Sequence, residues 1–93
     1  MIKQAEVAMV NAASKTLDIM EINPQADTED IIRHVLDNLE APSHLRVMGV
    51  AASNEVIKMR RANPEMTSKQ VLQLFVDNVY QFLARMNEGS ELE

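Results

Sequence analysis

Cysteine and tryptophan are absent from this sequence, and its 93 residues include two glycines and three prolines. Without cysteine there is no disulfide and no thiolate metal site. Gly49 and Gly89, forty residues apart, cannot build a glycine-rich phosphate loop. The aromatic residues are Phe75, Tyr80 and Phe82, all in one late segment, so the core has to come from Leu, Ile, Val, Met and Ala. No apolar run approaches the ~20 residues that span a bilayer. The opening Met-Ile-Lys-Gln-Ala-Glu does not lead into the unbroken apolar stretch of a secretory leader. The expectation from these absences is a cytoplasmic protein with no membrane partner. The closing Leu92-Glu93 is given no structural role.

Positive charge is also scarce, with a formal net charge of -5. Proteins whose affinity comes from neutralising phosphates usually carry a basic face, so this balance argues against nucleic acid as the main partner. Hydrophobic residues make up 46% of the chain, enough apolar surface to fold. One domain is the natural reading of this length. A core of this size gives limited stability, and without disulfides or a metal the remaining support is oligomerisation. Seven methionines add side chains that pack adaptably in cores and at interaction surfaces.

Self-similarity organises what is present. Asn23-Pro24 recurs as Asn63-Pro64 and Asp37-Asn38 as Asp77-Asn78, both at an offset of forty residues. At that offset Ile31 and Ile32 fall on Val71 and Leu72, Val35 and Leu36 on Phe75 and Val76, and Leu39 on Val79. Upstream, Val10 meets Val50, Ala12 meets Ala52 and Leu17 meets Ile57. The expected fold is all-α: four helices as two tandem, pseudo-repeated helical hairpins packed into a bundle, over residues 2–40 and 42–86, with a disordered tail over 88–93. The pattern resembles helical-hairpin repeat modules in general, and no named family signature fits it. Such arrays usually need three or more units, so two units would close on each other or on a second chain.

Helical spacing assigns each face. In the first helix, Ile2 to Glu21, residues Met9, Ala13, Leu17 and Met20 share a side. Pro24 ends it, because a proline ring cannot continue the hydrogen-bond ladder. Asp27 or Thr28 caps the second helix, which carries Ile31, Ile32, Val35, Leu36 and Leu39 inward. Ala41-Pro42-Ser43 separates the halves, with Pro42 expected in the first turn of the third helix. That helix reaches Arg61 and turns Leu45, Gly49, Ala52, Val56 and Met59 to the core. Thr67 and Gln70 have the spacing of a capping box. The fourth helix is expected to end near Met86, with Gly89 as a stop beyond it. Its stripe of Val71, Leu72, Phe75, Val76, Val79, Phe82, Leu83 and Met86 marks it as the most buried of the four.

A second apolar set is left over. Val7, Ala8, Ile19 and Ile22 point away from the main face of the first helix, as do Val47 and Ala51 in the third. Leu74 and Tyr80 flank the stripe of the fourth. The candidate interface is therefore Val7, Ile19, Ile22, Val47, Leu74 and Tyr80, and the partner it implies is a second copy of the chain in a homodimer, together with an unidentified protein.

Catalytic chemistry leaves no signature. Ser14, Ser43, Ser53, Ser68 and Ser90 lack a nucleophile-elbow context. His34 and His44 lie in different helices, and no ligand spacing accompanies them. No catalytic residue, cofactor or metal ligand is assigned. Asn38 and Asn78 sit at stripe edges, where a local bond to a helix end is preferred over a register-fixing bond across an interface. Lys58, Arg60 and Arg61 form the basic cluster, and they are the candidate nucleic-acid contact if the protein is instead a small regulator. Stabilising the C-terminus of the third helix explains the cluster more simply. A small ligand carrier or enzyme with a pocket between the hairpins is the second alternative.

Overall fold

The computed structural model describes residues 2–39 and 42–91, with side chains described for residues 4–39 and 42–85. Four helices follow one another: α1 (Ile2–Ile22), α2 (Thr28–Asn38), α3 (Ser43–Ala62) and α4 (Ser68–Glu91).

The boundaries have local chemical causes. Asn23 and Asn63 close α1 and α3: Asn23 N–H donates to the Ile19 carbonyl at 2.8 Å, and Asn63 N–H to that of Met59 at 3.1 Å. Proline follows each asparagine and cannot extend the helix. Asp27 caps α2, its carboxylate accepting from the Asp30 N–H at 2.9 Å. Glu29 and Asp30 add negative charge to that first turn, where the helix dipole favours it. Thr67 and Gln70 form a reciprocal capping box before α4. Thr67 N–H donates to Gln70 Oε1 at 2.8 Å, and Gln70 N–H to Thr67 Oγ1 at 3.1 Å.

Packing centres on α1 and α3, which make the most extensive contact of any helix pair. Each also packs on α2 and on α4, while the backbones of α2 and α4 do not approach each other. The seam between α1 and α3 is built from small side chains. Ala12, Ala13, Thr16, Ala52, Ser53 and Val56 are completely buried. Ala12 lies beside Gly49, and Thr16 bonds Ser53 one turn further along both helices, so α1 and α3 run in the same direction. The larger side chains surround this seam: Met9 and Leu17 from α1, Ile31 and Val35 from α2, and Val71, Phe75, Val79 and Leu83 from α4. Phe82 meets Phe75 edge to face at 6.2 Å between ring centroids.

Gly49 is where Leu39, at the end of α2, comes close to α3. A Cβ there would stand 2.8 Å from Leu39 Cδ2 and 3.6 Å from Ala12 Cβ. Leu39 is buried as the residue that ends α2. The missing side chain at position 49 is the space that Leu39 fills.

Four expectations are corrected. The central helices are α1 and α3, not α4, because α4 buries one row of its apolar side chains and leaves Leu74, Val76 and Tyr80 in solvent. Ala8, expected to face outward, is buried. Pro42 precedes α3 instead of entering its first turn, and its carbonyl accepts the Leu45 N–H at 2.9 Å. Finally, α4 does not stop at Gly89 but runs on to Glu91, through most of the segment expected as a disordered tail. Gly89 is not in the left-handed conformation of a glycine cap, and a glycine inside a helix costs about 1 kcal/mol without forcing an end. Residues 92–93 and the Met86 side chain lie outside the described part.

Candidate functional site

The left-over apolar set is located as follows. Ile22 is 85% exposed, Val47 68%, Tyr80 64% and Val7 59%. Leu74 is at the margin of exposure, and Val76, assigned to the buried stripe from its spacing, is also in solvent. Ile19 is half-buried and packs against the core, so its contribution to an outer surface is partial.

These residues do not form one patch. Fifteen residues of helix separate Val7 from Ile22, about 22 Å at 1.5 Å per residue. Val7 is half a turn round α1 from Thr16, and Val47 half a turn round α3 from Val56, so the two valines point away from the α1–α3 seam in opposite directions. Tyr80 stands beside Glu6 of α1. The Glu6 carboxylate raises the Tyr80 pKa, first by favouring the phenol as a hydrogen-bond donor and then by opposing the phenolate charge.

The basic cluster is divided between solvent and structure. Lys58 is exposed. Arg60 turns its guanidinium onto the chain end of its own helix, donating to the Pro64 carbonyl at 3.2 Å and to that of Asn63 at 3.5 Å. Arg61 reaches across to the α1–α2 connection, donating to Thr28 Oγ1 at 3.0 Å and the Ala26 carbonyl at 3.5 Å. Both arginines thus satisfy carbonyl and hydroxyl oxygens at the ends of helices. Asn38 and Asn78 likewise bond locally: each donates its amide to the carbonyl four residues earlier, His34 at 2.9 Å and Leu74 at 2.8 Å.

Open grooves flank α1. One, of about 350 Å³, runs between α1 and the end of α2 and is lined by Asn11, Ser14, Lys15, Asp18, Asn38 and Leu39. It continues past His34 and Val35 toward Ile19 and Ile22 as a space of about 240 Å³. A third, of about 230 Å³, lies between α1 and the start of α4. Among the described residues, no three His, Asp or Glu side chains are grouped to hold a metal ion. No described helix is long and apolar enough to cross a membrane.

Helical spacing identifies Val7, Ile22, Val47 and Tyr80 as outward-facing, but it misses the exposure of Val76 and the separate contacts of Arg60 and Arg61. The buried Thr16–Ser53 pair was missed, since nothing local to either residue signals a partner 37 positions away. Comparison with known protein families, curated proteins and solved structures finds no match to this chain.

Proposed function

We propose that this chain is a non-enzymatic protein-interaction module, made of two tandem related helical hairpins, that self-associates and acts in its simplest form as a homodimer. The relation between the halves is supported by bonds that recur at an offset of forty residues. The Ala26 N–H to Asn23 carbonyl bond, 3.1 Å, has its counterpart from Met66 to Asn63 at 3.0 Å. Ile31 to Asp27 at 3.1 Å is matched by Val71 to Thr67 at 3.0 Å, and the Asn38 and Asn78 amides follow the same rule. Ile31, Val35 and Leu39 are buried where Val71, Phe75 and Val79 are buried.

The observation that carries the functional reading is the exposure of Ile22, Val47, Tyr80 and Val7. A fully exposed large aliphatic side chain forgoes about 1.5–3 kcal/mol relative to its buried state. A second copy of the chain is the occupant always available to recover it. Size-exclusion chromatography with light scattering at micromolar concentration tests the reading. A mass of at least twice the chain is expected, falling toward the monomer in Val7→Ser/Val47→Ser. A monomeric mass at every concentration overturns it.

A further inference from the structure

We infer that copies of this chain associate head to tail, the outer face of α1 in one copy lying on the outer face of α3 in the next. This rests on the self-association proposed above and assigns its geometry.

The two faces carry the same spacing with opposite charge. Along α1, Val7, Asp18 and Glu21 share the side turned away from the core, and along α3 Val47, Lys58 and Arg61 occupy the positions forty residues later. All six are exposed. Because α1 and α3 run in the same direction, laying one on the other in parallel with Val7 against Val47 sets the Asp18 and Glu21 carboxylates opposite the Lys58 and Arg61 cations. Neither Asp18, Glu21 nor Lys58 takes part in the ion pairs among the described residues, which join Arg33 to Glu29 and Asp30, and Arg61 keeps its charge uncompensated while its guanidinium donates to the neutral Thr28 hydroxyl and Ala26 carbonyl.

Like-on-like contacts fail the same test. In the parallel register that sets valine on valine, two α1 faces would oppose carboxylate to carboxylate, and two α3 faces cation to cation. The acidic excess of the chain lies in its first half: residues 1–40 hold eight acidic and three basic residues, whereas residues 41–93 hold six of each. Since the valines of the two faces point in opposite directions, a head-to-tail contact leaves one acidic and one basic face free at the ends. Such a heterologous contact does not close at two copies and accepts more.

Sedimentation velocity of the full chain over a concentration series, at low and at high salt, tests this. At low salt the average mass should climb past the dimer as concentration rises. High salt, which shortens electrostatic reach to a few ångströms, should lower it. Lys58→Glu should weaken association about tenfold, and adding Asp18→Lys to that variant should restore it. A dimer that saturates, ignores salt and is unchanged in Lys58→Glu would overturn the head-to-tail geometry while leaving self-association standing. A monomer under all conditions would overturn both.

Discussion

Thr16 and Ser53 offer a quantitative test of the seam between α1 and α3. Both are completely buried. Thr16 Oγ1 donates to the Ala12 carbonyl at 2.7 Å, which uses its one proton. The 2.8 Å contact with Ser53 therefore has Ser53 as donor and Thr16 as acceptor. Ser53→Ala removes a donor from an oxygen that keeps its other bond, so the loss is close to one net hydrogen bond, about 1 kcal/mol. Thr16→Val keeps the shape but leaves the Ser53 hydroxyl buried without its acceptor. Stranding a buried polar group costs about 1–3 kcal/mol. Removing both partners at once strands nothing, and Thr16→Val/Ser53→Ala should cost about 1 kcal/mol or less. The cycle then yields a coupling of about 1 kcal/mol or more. Urea unfolding followed by far-ultraviolet circular dichroism reads this, at one fixed protein concentration because association shifts apparent stability. With a slope of about 1 kcal/mol per molar urea, each kilocalorie moves the midpoint by about 1 M. Single-variant costs that simply add would refute the shared bond.

Other perturbations have expected outcomes of their own. Gly49→Val should destabilise by about 1–3 kcal/mol in the same unfolding assay, because its side chain overlaps Leu39; unchanged stability would contradict the close approach. Asp27→Ala and Thr67→Ala should each cost about 1 kcal/mol through loss of a cap, read as lowered urea midpoints. Tyr80 is the sole tyrosine, so its ionisation can be followed directly by absorbance in the near ultraviolet. It should titrate above its ordinary value and move back down in Glu6→Gln. A phenol with a raised folded pKa contributes stability below its unfolded pKa, and that contribution is lost as pH rises through the folded pKa. The Glu6–Tyr80 contribution should therefore vanish under alkaline conditions and be unaffected by acid that leaves Glu6 charged.

Much of the fold is legible in the sequence because its signals are local. Asn-Pro ends a helix wherever it stands, Asp27 caps by its own carboxylate, and Thr67 and Gln70 need only each other. Large apolar residues at spacings of three and four identify Leu17, Val35, Phe75 and Leu83 as core. The α1–α3 seam is less legible for the same reason: alanine, glycine and serine carry little hydrophobic signal, and what distinguishes them is that they let two backbones come close. The dominance of large side chains in α4 suggested a central helix, yet a long helix can lay one row on the core and keep its flanks in solvent. Val76 and Leu74 are on those flanks. The candidate surface is legible only as a remainder. Spacing identifies which side chains the core does not take, and Ile19 is only a partial member of that set because it packs against the core. Long-range donors are illegible altogether: the reach of Arg61 to Ala26 and Thr28 depends on how the two hairpin turns come together.

The direct, parallel contact of α1 with α3 is the feature on which the core, the opposed outer faces and their charge complementarity all depend. Nuclear Overhauser contacts in the 93-residue chain measure it most directly. Cross-peaks from the Ala12 methyl to the Gly49 α-protons and from the Thr16 methyl to the Ser53 β-protons are expected. Cross-peaks confined to helix pairs α1–α2 and α3–α4, with none joining residues 12–16 to 49–53, would contradict it.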